Sequence, residues 1–259
     1  MTTKGYWENK EDRAEKALAH TSLMEAKYSD RISSSIESTT VYNTNFHSFK
    51  VSEIKTKQII LDDTDSVSAV FKYAVDPEVK TAVLNFSSYK NPGGMFIKGS
   101  RAQEECLCHE SDLYNILKEI PEFYQWNKQN TNKALYMNRG LYVPEVVFER
   151  DSKTTVCDVI TCAAPNKFAA QKYYGATNEE NLDALTERIQ FVLDIAKEND
   201  VQTLILGAYG CGVFGQNATE VASIFKDYLA NEYSCFDTVV FAIPSGNSNY
   251  KKFVEVFEE

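Results

Sequence analysis

Three glycines in the stretch Leu206 to Glu220 are spaced as Gly210-x-Gly212-x-x-Gly215. Glycine lets a backbone approach a ligand closely, and the helix predicted to follow would direct free N–H groups toward an anion. The arrangement suits a pyrophosphate, and its spacing is that of dinucleotide-binding motifs. For an isolated glycine loop, however, a tight strand-to-helix turn without a ligand is the better explanation, so the stretch needs support from elsewhere in the chain.

A second glycine-containing loop, Asn85 to Leu107, provides that support because it places acids at the start of a predicted helix. Gly93-Gly94 again permits close backbone approach, and Gln103-Glu104-Glu105 follows. Acids in a first helical turn complement the helix dipole, so helix initiation is the ordinary explanation for either glutamate alone. Two glycine loops facing the same place favour a binding and catalytic site instead.

A nicotinamide-binding Rossmann unit requires more than the glycines. The next strand should end in an acid that binds the ribose hydroxyls, about 20 residues beyond them. That strand is DTVVFAI, 237–243, in which the acid Asp237 lies at the amino end, whereas Ala242 and Ile243 lie at the carboxyl end. The sequence therefore argues against a nicotinamide cofactor, and we expect no cofactor of any kind.

Strands and helices alternate from residue 57 onward, which predicts a mostly parallel sheet covered by helices on both faces. Predicted strands are 57–61, 81–87, 141–149, 154–163, 201–208 and 237–243; predicted helices are 11–28, 65–75, 104–118, 178–198, 218–229 and 249–259. Helix 178–198 is the clearest, since Thr177 and Glu180 form a capping box. Pro144 favours an edge position for strand 141–149. The serine-rich stretch after residue 28 suits either a loop or a strand, and the rest of 120–150 is predicted to be irregular.

The positions of the two loops follow from this alternation. Loop 88–104 comes after strand 81–87, and loop 208–217 comes after strand 201–208. Because ligands of parallel sheets bind beyond the carboxyl ends of the strands, we expect the two loops to share one edge.

Composition narrows the class of partner. The 259 residues carry a formal net charge of −10 and no long run of Lys and Arg, which argues against direct nucleic-acid binding. The six cysteines show neither CxxC nor zinc spacing, so we predict reduced thiols and no metal. No apolar run approaches about 20 residues and the first residues lack a signal core, so we expect no membrane association and a cytoplasmic location, with the nucleus as the alternative.

Isolated reactive side chains carry little weight. His20, His47 and His109 are predicted to be surface or capping residues, with exposure expected for His109. Cys211, within the first glycine loop, is predicted to be a small packed residue, since no base is visible beside it.

Segment 85–107 resembles the catalytic loop of microbial-type poly(ADP-ribose) glycohydrolases, whose signature is a triple glycine, a short spacer and Gln-Glu-Glu. Segment 206–215 is similar to the phosphate loop of these enzymes and of macrodomains in general. Weaker similarity extends over most of the chain, including ITCAAPN at 160–166. Met95 stands where the family usually has its third glycine, a departure that bears on substrate range more than on ligand binding.

The resemblance implies a macrodomain-like three-layer α/β/α fold with a mixed, mostly parallel central sheet. The catalytic core would be residues 57–259, and residues 1–56 would be an N-terminal helical extension packed on it, in a single domain overall. The implied ligand is ADP-ribose, presented as poly(ADP-ribose) or on ADP-ribosylated proteins, and a monomer is expected.

The resemblance also implies roles for individual residues. Glu105 matches the acid that protonates the leaving oxygen of a ribose–ribose bond and then activates water, and Glu104 matches the neighbour that holds a ribose hydroxyl. Phe214 would pack on the distal ribose, and Asn85 is a further candidate for ribose hydroxyls. The other predicted substrate-binding residues are Asn91, Gly93, Gly94, Gln103, Gly210, Cys211, Gly212, Val213 and Gly215.

Three functions remain open at this point. The chain is expected to hydrolyse poly(ADP-ribose), to remove single ADP-ribose groups from proteins, or to bind ADP-ribose without cleaving it. The intact Gln103-Glu104-Glu105 sequence argues against the last.

Overall fold

A computed structural model describes residues 9–50, 56–246 and 248–258. The strands are β1 (Thr40–Tyr42), β2 (Gln58–Asp62), β3 (Thr81–Phe86), β4 (Gly140–Arg150), β5 (Lys153–Cys162), β6 (Thr203–Leu206) and β7 (Thr238–Ala242). The helices are α1 (Lys10–Ser38), α2 (Ser66–Tyr73), α3 (Gln103–His109), α4 (Leu113–Leu117), α5 (Pro121–Gln129), α6 (Lys167–Tyr174), α7 (Asn178–Glu198), α8 (Ala218–Ala230) and α9 (Ser248–Glu258). Among the described residues, no helix has the length and apolar character needed to cross a membrane.

The described strands form one mixed sheet in the order β1-β4-β5-β3-β6-β7-β2. β5, β3, β6, β7 and β2 run parallel, whereas β4 is antiparallel to both β1 and β5. Alternate β3 residues face opposite cores: Leu84 packs with α7, α8 and α9, and Val83 packs with the helices from α1 to α5. The predicted three-layer α/β/α fold is therefore confirmed.

The N-terminal helix is longer than its sequence pattern indicates. The serine-rich stretch after residue 28, considered as a loop or a strand, continues α1 to Ser38, with a kink at Tyr28. Ile32 and Ser35 are buried there, so tertiary packing outweighs the weak helix preference of serine. β1 follows at once and pairs with the first residues of β4, Gly140 to Tyr142.

The predicted helix 104–118 is wrong in its middle, where the chain leaves the helix to pair with β4. Ser111 bridges Phe148, and Asp112 and Val147 exchange two hydrogen bonds: the Asp112 N–H donates to the Val147 carbonyl, and the Val147 N–H donates to Oδ1 of Asp112. These contacts pair with the part of β4 that β1 does not reach. Strand 141–149 is therefore not the edge strand that was predicted. Pro144 lies instead where the register shifts, between Val143 and Val146.

Helices α5 and α6 were not predicted, and both lie at the carboxyl edge of the sheet, beside the two glycine loops. α5 falls in the region assigned as irregular and starts with Pro121, a residue suited to a first helical turn. α6 is capped by Asn166, whose side chain accepts the Ala169 N–H. By contrast, α7 has the predicted bounds and the predicted capping box of Thr177 and Glu180.

Candidate active site

The two glycine loops leave neighbouring parallel strands. Val83 of β3 lies opposite Ile205 of β6, so the carboxylate loop (residues 87–102) and the phosphate loop (residues 207–217) start at the same edge of the sheet. The ring of Phe86, which ends β3, packs on Tyr209 of the phosphate loop with centroids 5.5 Å apart. The prediction that the two loops meet is therefore confirmed.

Gly94 carries the backbone directly across both glutamates. A β-carbon placed on Gly94 would lie 2.5 Å from Oε1 of Glu105 and 2.9 Å from Oε2 of Glu104. The φ of Gly94 is +61°, in the left-handed region that favours glycine. Gly93 is similar, since its φ is +60° and a β-carbon there would lie 2.7 Å from the Tyr114 ring. The close approach predicted for this glycine pair is thus made to the protein's own side chains.

Glu105 is fixed from two sides. It stands in the first turn of α3 and is only 5% exposed. Its Oε1 accepts the Met95 N–H at 2.9 Å, and its Oε2 accepts the Ala102 N–H at 2.8 Å. Because both donors belong to the loop that crosses above it, the carboxylate has one defined position.

Glu104 is buried beside Glu105 and retains a proton at neutral pH. Burial raises its pKa to about 8, and the neighbouring charge of Glu105 acts in the same direction. Opposing hydrogen bonds come from the Ser88 N–H to Oε2 at 2.6 Å and from Nδ2 of Asn85 to Oε1 at 3.3 Å. Both carboxyl groups are therefore buried, but they differ in their surroundings. Burial raises the pKa of Glu104, whereas both oxygens of Glu105 accept backbone N–H groups of the carboxylate loop.

Two amide side chains near the glutamates bond to protein partners, although Oδ1 of Asn85 has no partner among the described residues. Oε1 of Gln103 accepts the Phe86 N–H at 2.8 Å, and its Nε2 donates to the Leu84 carbonyl at 2.8 Å. Asn85 is fully buried and donates to Glu104 and to Oγ1 of Thr161. Both residues therefore tie the start of α3 to the end of the sheet.

The phosphate loop presents unpaired backbone donors. Gly210 and Gly215 have φ of +73° and +74°, and the loop closes through hydrogen bonds from Gly215 to Gly212 and from Gln216 to Gly210. Within the described part of the chain, the following N–H groups donate to no protein acceptor: Gly210, Gly212, Val213 and Phe214. Val213 is 82% exposed, so this run of donors faces outward, as an anion site requires.

An aromatic row joins the two loops. Tyr136 stacks on Tyr89 of the carboxylate loop with ring centroids 4.2 Å apart, and it meets Phe214 of the phosphate loop edge-on at 6.1 Å. The sequence analysis singled out Phe214 but missed both tyrosines. The aromatic residues of region 120–150 were the available signal for Tyr136, although nothing in their spacing revealed which rings would meet.

Met95 occupies the expected third-glycine position without strain. Its φ is −114°, a conformation open to any residue, and its N–H still reaches Glu105. Its side chain is 39% exposed. Asn91 lies at the preceding turn with an exposed side chain, and its carbonyl accepts the Gly94 N–H. The departure at Met95 therefore leaves the carboxylate arrangement intact.

Two further features were missed or misplaced. Arg188 of α7, fully buried, donates to the Ala163 carbonyl and to Oδ1 of Asn138, and so holds the end of β5 beside the site. His109, expected to be exposed, is buried against Phe96, and burial lowers its pKa to about 4. Cys211 packs as predicted, and burial raises its pKa to about 12, which leaves it as an unreactive thiol.

A family model of the microbial-type poly(ADP-ribose) glycohydrolase (PARG) catalytic domain matches residues 12–151, which include the carboxylate loop. The chain belongs to this family. The fold of this PARG-family chain is similar to that of the PARG from Thermomonospora curvata, with a TM-score of 0.85, 26% identity and coverage of 95% of this chain and 100% of the other. No curated protein sequence matches the chain.

Two ligand-bound PARG structures are also similar. The Thermomonospora curvata enzyme bound to the inhibitor ADP-HPD has a TM-score of 0.82 and 25% identity, covering 95% of this chain and 99% of the other. The Deinococcus radiodurans enzyme in complex with ADP-ribose has a TM-score of 0.77 and 27% identity, covering 88% of this chain and 96% of the other. These similarities cover 88% or more of the chain and so extend beyond residue 151.

Proposed function

We propose that this chain hydrolyses the ribose–ribose O-glycosidic bonds of poly(ADP-ribose) and releases ADP-ribose. One observation carries the proposal: a buried carboxylate pair lies under Gly94 at the end of β3, and a loop of unpaired N–H groups follows the neighbouring strand β6. Membership of the PARG family and similarity to PARG structures with ADP-ribose or an inhibitor support it.

The phosphate loop would bind the diphosphate of the terminal unit. The unpaired N–H groups between Gly210 and Phe214 match an anion that carries several acceptor oxygens. Gly212 has no other atom within 4 Å of where its β-carbon would be, so a ligand can lie against the backbone there. With the diphosphate on this loop, the distal ribose extends toward β3, between Phe214 and the glutamates.

Glu105 would act as the acid and then as the base. As the bond between C1 of the distal ribose and the bridging oxygen breaks, the one proton that the carboxyl pair carries passes through Glu105 to that oxygen, and positive charge develops at the sugar. Water then attacks C1 and gives a proton back to Glu105. The Met95 and Ala102 N–H groups stabilise the carboxylate between these two steps.

Three neighbours of Glu105 would support this reaction: Glu104 by holding a proton, and Gln103 and Asn85 by positioning α3. Glu104 holds a proton near neutral pH because it is buried, so the carboxyl pair enters the reaction with one proton. Gln103 and Asn85 hold α3 against β3, and we assign them a positioning role because the N–H groups of both amides donate within the protein.

The decisive experiment compares Glu105→Gln with the unaltered chain on poly(ADP-ribose). We expect turnover to fall at least about 100-fold, since a general acid and base is removed. The affinity for ADP-ribose should stay within about tenfold, roughly 1.4 kcal/mol, because the diphosphate contacts remain. Glu119→Gln is the matched control, since Glu119 is largely exposed at the end of α4.

The same assay separates the alternatives. Loss of polymer with release of ADP-ribose supports the proposal. Removal of single groups from a mono-ADP-ribosylated protein, with the polymer intact, would point to the second function. Binding of ADP-ribose with neither reaction would identify a binding module, and undiminished turnover by Glu105→Gln would overturn the assignment of that residue.

The division of the chain is also a proposal. We propose that residues 1–56 serve the core at 57–259 by holding the carboxylate loop, because Nε of Arg13 donates to the Gly99 carbonyl at 2.6 Å. A monomer in the cytoplasm remains our expectation, which size-exclusion chromatography and cell fractionation would test.

A further inference from the structure

The carboxyl edge of the sheet continues past the glutamates to the ends of β4 and β1. Phe86 is opposite Cys162, Cys162 is opposite Gly140, and Gly140 is opposite Tyr42. At about 4.8 Å per strand, Gly140 lies about 10 Å and Tyr42 about 14 Å from Phe86 across the sheet. The residues before Gly140 and after Tyr42 therefore lie beyond the glutamates, on the side opposite the phosphate loop.

Arg139, which immediately precedes β4, has no ionic partner among the residues that the structure describes. Its guanidinium carbon lies 4.3 Å from the centroid of the Trp126 ring and 5.3 Å from that of Phe123. Nε and Nη1 are shielded from solvent and have no acceptor within the described residues. Because these two nitrogens are shielded, Nη2 is the donor left open to a ligand, and a charge-assisted hydrogen bond from it is suited to a phosphate group.

A cavity adjoins the same tryptophan. Its volume is about 570 Å³, and it is lined by Trp126 and by residues 41–46, which comprise the end of β1 and the turn after it. The turn supplies asparagine and threonine side chains, and Phe46 closes it against Tyr42 with ring centroids 4.4 Å apart. An aromatic ring, several amides and enough room are what a nucleobase requires.

This region is physically joined to the carboxylate loop. Nδ2 of Asn127, the residue after Trp126, donates to the Tyr89 carbonyl at 2.9 Å. The Tyr89 hydroxyl in turn accepts the Met137 N–H at 3.2 Å, two residues before Arg139. The position of Arg139 relative to the scissile bond is therefore held by contacts rather than by a free loop.

We propose that Arg139, Trp126 and the turn at 41–46 form a subsite for the second ADP-ribose unit of the polymer. This inference rests on the proposed function. With the terminal diphosphate on β6 and the terminal ribose on β3, the unit joined through the scissile bond continues toward β5, β4 and β1. Its diphosphate pairs with Arg139, and its adenine lies against Trp126.

The test measures binding to the slow Glu105→Gln chain, with ADP-ribose and a two-unit ADP-ribose dimer as probes. We expect the dimer to bind at least tenfold more tightly than ADP-ribose, and this advantage to shrink as salt rises. Adding Arg139→Gln should remove the advantage and leave ADP-ribose affinity unchanged. Arg31→Gln, an exposed position on α1, is the matched control.

Several outcomes would overturn the subsite. Equal binding of dimer and monomer by the Glu105→Gln chain would do so, as would an equal loss of both on adding Arg139→Gln. If Arg139→Gln does not fold, Arg139→Lys and Trp126→Leu decide, since both should weaken the dimer alone. Failure of the proposed function is a separate result, seen as absence of polymer cleavage by the unaltered chain.

Discussion

The carboxylate loop and the phosphate loop leave adjacent strands, yet they satisfy their polar groups in opposite ways. Around Glu104 and Glu105, the Asn85 amide and three backbone N–H groups donate to the two carboxylates. The neighbouring Gln103 amide accepts the Phe86 N–H. Between Gly210 and Phe214, every N–H group except that of Cys211 has no protein acceptor within the described chain. The first loop is therefore organised without a ligand, and we propose that the substrate completes the second. Changes in the first should therefore reduce turnover, and changes in the second should reduce affinity.

The largest effect is expected from Gly94→Ala. The new methyl group would overlap both carboxyl groups, so we expect turnover to fall at least about 100-fold. Stability should fall by roughly 1–3 kcal/mol, because alanine disfavours positive φ. Gly175→Ala is the control, since its φ is +67° and no atom lies within 4 Å of its β-carbon position. Similar activity losses in the two variants, measured on poly(ADP-ribose), would remove the special role of Gly94.

The pH profile tests the proton held by the carboxyl pair. Because burial raises the pKa of Glu104 to about 8, the pair retains this proton below pH 8 and loses it above. We expect kcat/KM for poly(ADP-ribose) to decline as pH rises through about 8. Glu104→Gln should have lower activity and lack this alkaline limb, since an amide does not titrate. A limb near pH 8 that persists in the variant would place the proton elsewhere.

A smaller effect, on affinity, is expected from Gly212→Ala. Its φ is not positive and no atom lies within 4 Å of the added carbon, so the free protein should keep its stability. The methyl group would stand where the diphosphate lies, and we expect about tenfold weaker ADP-ribose binding, about 1.4 kcal/mol, measured by calorimetry. Unchanged affinity would show that the diphosphate binds elsewhere.

Asp112 gives a purely structural contrast to the carboxyl pair. Burial raises its pKa to about 7, and its Oδ2 has no partner within the described residues. The unfolded chain ionises this group from about pH 3.8, so its contribution to stability declines as pH rises toward 7. Asp112→Asn should flatten that decline and raise stability at pH 8 by an amount on the order of 1–3 kcal/mol, with turnover unchanged.

Chemical denaturation at pH 5 and pH 8 measures the effect at Asp112. The asparagine variant keeps the acceptor for the Val147 N–H, so loss of that bond does not complicate the comparison. A variant as pH-dependent as the unaltered chain would show that Asp112 does not titrate in this range.

The predictable parts of the fold are those fixed by local chemistry. α7 matches its predicted bounds because Thr177 and Glu180 satisfy the first N–H groups within a few residues. The 104–118 prediction failed in its middle because pairing of Ser111 and Asp112 with β4, about 35 residues later, decides that segment. The end of α1 was missed for the same reason, since buried contacts of Ile32 and Ser35 outweigh their local preferences.

The same distinction, between features fixed by neighbouring residues and features fixed by distant contacts, applies to the site. The glycine and glutamate positions were visible as a motif, and so was the expectation that the two loops share an edge. Gln103 and Asn85 stay candidate substrate contacts, but the sequence did not reveal that both amides donate hydrogen bonds within the protein. Tyr89, Tyr136 and Arg139 had no signal beyond composition, because their neighbours come from distant segments.

By itself, the sequence determined the alternation of strands and helices, the two glycine loops and the family resemblance, because each depends on residues close together in the chain. Only the tertiary structure decided that Gly94 crosses both carboxyl groups, that Glu104 keeps a proton, and that Arg139 has no ionic partner among the described residues. Burial and close approach are properties of surfaces brought together by folding, and the spacing of residues along the chain does not contain them.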